Sequence, residues 1–198
     1  MSNEPIENNS EKKYSLYFDK NKKKIIIVFL SIVIILCLYG IFNLYKKNQE
    51  IKISENFNKA IINIENKNLK IAKKDLEAIV MFRHEFYSPL SLNLMIDNKL
   101  GKSIEIIKLF DVLIDSKIEQ EKIDLIRIKK ALFVMDEEFK DNKDKTKEEI
   151  ILQTLRPVIK TDSIWKRSSL KIIRDFYLIS DQKNKAKEFE NLLINIPK

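Results

Sequence analysis

Few side chains in this sequence belong to the types that carry out chemistry. His84 is its sole histidine and Cys37 its sole cysteine. A zinc site takes about four ligands, mostly of these two types, and a Ser-His or Cys-His nucleophile needs a histidine beside it. In FRHEFY, no second histidine follows His84 at a metal-binding spacing. We therefore predict no metal site, and interpret His84 as a loop or partly buried residue.

Paired carboxylates can act as general acid and base, and such pairs occur at Glu137-Glu138 and Glu148-Glu149. Both pairs fall in a charged connection or at a predicted helix start, where acidic side chains suit solvent or the helix dipole. The two glycines of the chain are too few for a glycine-rich phosphate loop. The sequence therefore predicts no catalytic residue, no cofactor and no small-molecule substrate, so an enzyme is the least favoured class.

Aromatic residues offer two possible binding features. Trp165 could anchor a ligand, although a Trp near the start of a helix in a helical stack is more often a core residue. Phe82, Phe86 and Tyr87 stand beside Arg83 and could form an exposed patch, yet packing between helices explains them equally well. The protein-binding residues are left unassigned.

The chain is basic, with 37 Lys and Arg against 29 Asp and Glu and a formal net charge of +8. Such a charge can indicate a nucleic-acid or acidic-lipid partner. Here Ile, Lys and Asn together make up 82 of 198 residues, as is typical of AT-rich genomes, and the lysines are interleaved with acidic residues. No nucleic-acid recognition motif occurs, so we predict no nucleic-acid partner. Contact of the lysines with a membrane surface stays open.

Residues 25–45, IIIVFLSIVIILCLYGIFNLY, contain no charged side chain. As a helix this segment spans roughly 31 Å, close to the hydrocarbon thickness of a bilayer. A soluble core helix would show a polar stripe, and a cleaved signal peptide would have a shorter apolar core followed by small residues. Bulky residues fill the end of this segment, so we predict a retained transmembrane anchor. Within it, Cys37 faces lipid or a partner helix.

Lysines flank the anchor on both sides, with a modest excess before it. The positive-inside tendency then places the N-terminus in the cytoplasm and the C-terminal part across the membrane. A translocated domain without cysteine depends on packing for its stability, since it forms no disulfide. The predicted organisation is a disordered cytoplasmic tail over 1–24, a transmembrane helix over 25–45 and one folded domain over 46–198.

Apolar residues recur at helical spacing throughout the domain, and no alternating strand pattern stands out, so the predicted fold class is all-α. Helices joined by short turns favour a stack of about four helix pairs, an α-solenoid, over a lone bundle. The predicted helices cover about 57–64, 69–80, 89–96, 103–114, 118–135, 146–156, 164–179 and 184–194.

Local signals set several of these boundaries. Gly101 is expected to supply a turn, and the sequence TKEE at 146–149 fits a capping box that opens a helix. Pro157 is expected to end or kink that helix. Asp162 or Ser163 is the expected N-cap of the helix that follows.

The final helix pair, with Tyr177 and Ala186 nine residues apart across its turn, resembles a degenerate tetratricopeptide repeat. Ala60 with Ala72, and Ser91 with Ser103, echo this placement of small residues. The whole layout resembles the family of the ancillary subunit of the SecYEG translocon. The segments that carry the resemblance are FYSPLSLNLMIDNKLGKSIEIIKLFDVLI and LRPVIKTDSIWKRSSLKIIRDFYLISDQKNKAKEFENLL.

This resemblance implies a bacterial inner-membrane protein with a single span and a periplasmic domain of tetratricopeptide-like repeats. Its implied partners are Sec translocon components, periplasmic chaperones or exported chains, with the membrane contacted through 25–45. The leading hypothesis is therefore a membrane-anchored protein-protein interaction scaffold. The alternative is a structural subunit of a membrane complex that acts mainly through its transmembrane helix.

Overall fold

The structure is a computed structural model and describes residues 9–136 and 143–196. All regular secondary structure within these ranges is α-helical, which confirms the all-α prediction for them. The helices are α1 (Asn9–Glu65), α2 (Leu69–Met81), α3 (Tyr87–Asp97), α4 (Ser103–Ile114), α5 (Gln120–Asp136), α6 (Lys143–Lys160), α7 (Lys166–Ile179) and α8 (Lys183–Ile194).

Helix α1 is 57 residues long and contributes to both of the compact units into which the chain divides, Met1–Lys52 and Ile53–Lys198. Residues 9–24 belong to this helix, whereas a disordered tail was predicted over 1–24. Residues 1–8 lie outside the described residues. Propagation adds one hydrogen bond for each residue that is fixed, so a polar segment joined to a long helix can extend it at little cost.

The part of α1 from Lys22 to Glu65 is long and apolar enough to cross a membrane. Side chains from Ile26 to Tyr45 are all exposed, which in water would be unfavourable for so many apolar groups. The Ser31 hydroxyl donates to the carbonyl oxygen of Val28 at 2.7 Å. Its polar group is thus satisfied within the helix, as a lipid environment requires.

The second unit is held together by two clusters of buried apolar side chains. The first joins the end of α1 to α2, α3 and α4 and includes Leu76 and Phe110, each no more than 1 % exposed. The second joins α5, α6, α7 and α8 and includes Leu155 and Ile173. Burying one such side chain contributes about 1.5–3 kcal/mol, so these clusters are the main source of stability in the unit.

Each helix from α2 to α7 packs against the next one in sequence, and α2 also packs on α4, as α5 does on α7. Small residues allow some of these close approaches, because Ala60, Ala72 and Ala131 are completely buried. The α4 boundaries agree with the predicted 103–114. Its apolar residues cover two faces, which is why the neighbouring helices can bury both of them.

Three helices end in the same type of turn, in which one residue adopts a left-handed backbone conformation. The N–H group of the next residue then donates to a carbonyl oxygen five positions earlier, closing a Schellman motif. The left-handed residues are Lys67, Lys99 and Asp181 (φ 62°, 54° and 53°), and the closing bonds run from Asn68 to Asn63, Leu100 to Met95 and Gln182 to Tyr177, each 2.8 Å long.

Gly101 lies in the predicted turn between α3 and α4, but the residue with a left-handed backbone conformation there is Lys99. The lack of space for a side chain, and not the backbone conformation, explains why glycine occupies position 101. A Cβ atom added at Gly101 would lie 3.1 Å from Cδ1 of Ile106, closer than an ordinary van der Waals contact.

Two predictions around α6 are wrong, the capping box at 146–149 and the N-cap of the next helix. The helix begins at Lys143, so the capping box does not open it, and it continues past Pro157 to Lys160, so Pro157 does not end it. A kink at Pro157 stays a prediction. Pro157 is exposed, so water can satisfy the carbonyl group left without its helical donor. The following helix has Trp165 at its N-cap position, and the predicted cap Ser163 instead accepts from the Trp165 N–H at 3.2 Å.

Candidate protein-binding groove

An open groove of about 470 Å³ lies between α6, α7 and α8. Its volume falls in the range of sites that hold small molecules or a few peptide side chains. Apolar side chains form its floor, and charged side chains stand at its margins. The lining residues are Leu152, Arg156, Ile159, Lys160, Ile173, Tyr177, Lys185, Glu188 and Phe189.

Helical periodicity places these side chains together. Residues three or four apart share one face of a helix, and each helix contributes one such stripe. On α6 the stripe begins at Leu152 and continues through Arg156 to Lys160; on α7 it joins Ile173 to Tyr177. The groove therefore arises where three amphipathic faces meet, which a single helix in the sequence does not reveal.

Glu148 holds two lining residues of the groove, Tyr177 and Lys185, in place. The Tyr177 hydroxyl donates to Oε1 of Glu148 at 2.9 Å, and Nζ of Lys185 donates to the same oxygen at 2.7 Å. Nζ of Lys185 also lies 5.1 Å from the centre of the Tyr177 ring, within cation–π range. Glu148 on α6 thus joins α7 and α8, whereas the sequence analysis assigns it to solvent or a helix start.

The pKa values of Glu148 and Tyr177 follow from these contacts. The hydrogen bond from Lys185 is the main reason that the pKa of Glu148 is lowered, so its carboxylate stays ionised. Burial raises the pKa of Tyr177 well above its usual range, and the hydrogen bond to Glu148 is the second cause of this increase. The neutral hydroxyl of Tyr177 is therefore favoured, and it donates to Glu148.

The opposite margin carries two cations without a carboxylate partner. Arg156 and Lys160 are exposed, stand one helical turn apart on α6, and form no ion pair within the described residues. Glu188 on α8 is the acidic residue among the lining side chains. Because Lys185 is already paired with Glu148, the unneutralised positive charge of the groove lies on the α6 side.

Trp165 is partly buried against the second core cluster, which agrees with its interpretation as a core residue. The aromatic residues near Arg83 differ in exposure, although the rings of Phe86 and Tyr87 are in edge contact at 5.1 Å. Tyr87 packs on Phe57 with ring centres 5.7 Å apart, whereas Phe82 and Phe86 are 53 % and 63 % exposed. Packing therefore accounts for Tyr87 and leaves two exposed phenylalanines on the α2–α3 loop.

His84 has a structural position at the start of α3. Its Nδ1 accepts from the backbone N–H groups of Phe86 and Tyr87, both at 3.2 Å. The backbone N–H of His84 donates to Oγ of Ser88 at 2.7 Å, and the Ser88 hydroxyl donates to the carbonyl oxygen of Ile79 at 2.6 Å. His84 therefore caps α3 and fixes the loop to α2, a role that the sequence analysis does not identify.

The remaining candidates do not come together into a site. Glu137 and Glu138 lie outside the described residues, and Cys37 is exposed on α1 in the other unit. Glu149 accepts from Nε2 of Gln153 at 3.1 Å, an ordinary surface contact along α6. Within 9–136 and 143–196, no group of three or more His, Cys, Asp or Glu side chains could hold a metal ion.

A second, more polar cavity of about 400 Å³ lies between α4, α5 and α6. Two of its charged groups pair with each other, because Nζ of the buried Lys130 lies 2.6 Å from Oδ1 of Asp111. Nε of Arg127 is buried without a hydrogen-bond partner among the described residues. We interpret this cavity as a structural contact between α4 and α5.

Comparison of the chain with family models, with curated proteins and with solved structures finds no match. The groove and the apolar part of α1 are therefore the features from which a function can be argued.

Proposed function

We propose that this chain is a membrane-anchored scaffold that binds segments of other proteins in the groove between α6, α7 and α8. The observation that carries the proposal is the groove itself, an open cleft with an apolar floor and a charged margin. Such a cleft suits a few side chains of a bound segment. The protein acts by binding and does not turn over a substrate.

Two features support a tetratricopeptide-like solenoid as the form of the domain. Helices joined by short turns pack mainly on their neighbours in sequence, as in repeat proteins. In addition, Ala72 and Ala186 are buried at the same position of two different helices, four residues after the N-cap. The N–H group of each donates to its N-cap carbonyl oxygen at 3.1 Å.

The proposed location is the inner membrane of a two-membrane bacterium, with residues 25–45 as the span, the N-terminus in the cytoplasm and the domain in the periplasm. The exposed apolar face of α1 supports insertion, and the flanking lysines support this orientation. An anchored domain meets nearby chains at high effective concentration, so weak groove contacts suffice. Proposed partners are Sec translocon components, periplasmic chaperones and exported proteins.

Site-specific photocrosslinking of the full chain in native membranes tests this function. A photoreactive residue replaces Ile159 in the groove, and the control replaces Ile71, an exposed residue of α2. We expect translocon, chaperone or exported proteins to be captured from position 159 and not from 71. Equal capture from both positions, or none from the groove, would refute the proposal.

The alternative function, a structural subunit acting through its transmembrane helix, is favoured by one observation. The apolar side chains of α1 from Ile26 to Tyr45 are exposed on every side, so a partner helix could pack on any of them. Replacing residues 25–45 by an unrelated apolar helix separates the two functions. Capture from position 159 should persist for a scaffold and be lost if the native helix recruits the partners.

A further inference from the structure

We infer that the groove selects segments that combine apolar side chains with acidic ones, and that the acidic side chains lie along α6. This inference rests on the proposed function, because it names the chemistry of the segment that the groove binds. It depends on two properties of the groove, its apolar floor and the uneven distribution of charge between its margins.

The floor favours apolar side chains. Ile173 is 1 % exposed and Tyr177 3 % exposed, and the neighbouring Leu152, Ile159 and Phe189 are only partly buried. The partly buried side chains present apolar area to water that a bound segment would cover. Covering such area is favourable and does not depend on direction, so the floor supplies affinity without selecting a particular sequence.

The charges supply the selection. Arg156 and Lys160 point to the same side of α6, and neither has an ion-pair partner within the described residues. A guanidinium group can bind a carboxylate through two parallel hydrogen bonds, and an adjacent ammonium group adds a second favourable contact. A basic side chain at the same place would meet two like charges, so it would be disfavoured.

The other margin cannot take the same acidic residue. On α8, Lys185 is already bound to Glu148 at 2.7 Å, and Glu188 adds a negative charge to that side. A carboxylate placed there would meet a neutralised cation and a like charge. Acidic residues of the bound segment should therefore run along α6, with apolar residues seated between them and α8.

Peptide binding to the full chain in neutral-lipid nanodiscs tests the inference. Three fluorescent peptides share one apolar block and differ only in flanking residues, which are Glu, Gln or Lys. We expect the Glu peptide to bind about five- to tenfold more tightly than the Gln peptide, as two exposed charge contacts would give. The Lys peptide should bind weakest, and the preference should decline as salt is added.

Variants assign the preference to α6. In Arg156→Gln/Lys160→Gln the Glu and Gln peptides should bind equally, and in Arg156→Glu/Lys160→Glu the Lys peptide should bind best. The matched control is Lys70→Gln/Lys74→Gln, an exposed pair of cations one turn apart on α2 without an ion pair in the described residues. This control removes the same charge and should keep the wild-type preference.

The outcomes distinguish failure of the inference alone from failure of the proposed function. If all three peptides bind equally, or the α6 variant keeps the preference, the inference is wrong while the groove remains a peptide site. If Lys70→Gln/Lys74→Gln reduces the preference for the Glu peptide as much as Arg156→Gln/Lys160→Gln does, the preference comes from the net charge of the chain, and the inference is again wrong. If no peptide binds, both the inference and the proposed function fail.

Discussion

The ion pair between Lys130 and Asp111 predicts a strong asymmetry between its two partners. The Lys130 side chain is 9 % exposed, the Asp111 side chain is 52 % exposed, and their charged atoms are 2.6 Å apart. Removing Asp111 leaves a buried ammonium group without its partner. Removing Lys130 leaves a carboxylate that water can already reach.

Asp111→Ala should therefore lower the free energy of unfolding by about 3 kcal/mol, the low end of the cost of removing one partner of a buried ion pair, because Asp111 is half exposed. Lys130→Met fills nearly the same space without a charge, and should cost about 1 kcal/mol or less. In the double variant most of the loss caused by Asp111→Ala should disappear, because no unpaired ammonium group remains.

Urea unfolding of the full chain in detergent, followed by fluorescence, measures these differences. Trp165 is the sole tryptophan and contacts the second core cluster, so its emission reports on the second unit. Asp115→Asn, an exposed carboxylate lining the same cavity, is the matched control and should change stability by less than about 0.5 kcal/mol. If Lys130→Met costs as much as Asp111→Ala, the assignment of the buried partner is wrong.

Three further predictions use the same assay. Because the pKa of Glu148 is lowered in the folded chain, its ionised carboxylate contributes to folding stability above the ordinary carboxyl pKa, and this contribution is lost as the pH falls through the lowered value. The difference in unfolding free energy between wild type and Glu148→Gln should therefore shrink below about pH 4. A difference that stays constant with pH would contradict this. His84→Ala should cost about 1 kcal/mol by removing the cap of α3, while His84→Asn, which keeps an acceptor, should cost less; equal losses would argue against capping. Tyr87→Ala should lower the free energy of unfolding by about 2 kcal/mol, and replacement of the exposed Phe86 by Ala should lower it by less than about 0.5 kcal/mol. A larger loss for Phe86→Ala than for Tyr87→Ala would contradict the packing described for these two residues.

The helices were predictable because their signal is local. Apolar residues at three- and four-residue spacing define α2, α4 and α8 within one or two residues, and tertiary packing preserves that pattern. Boundaries depended on weaker signals. The capping sequence at 146–149 lies inside a longer helix, and Pro157 is tolerated because its turn faces water.

The groove was not predictable in the same way. Its floor joins Leu152, Ile173 and Phe189, which come from three helices and become neighbours only when those helices pack. The role of Glu148 depends equally on distant residues, because its partners Tyr177 and Lys185 are on α7 and α8. Periodicity identifies the apolar face of each helix, but it does not identify which faces will leave a cleft between them.

The left-handed turns have a consequence for the evolution and engineering of this domain. Lysine or aspartate, instead of glycine, takes a conformation that costs an ordinary residue about 1 kcal/mol. Glycine at 67, 99 or 181 would relieve that cost, although the more flexible unfolded chain would cancel part of the gain. Folding stability could thus be increased at three surface positions. Single substitutions there could compensate for destabilising substitutions elsewhere without changing the core or the groove.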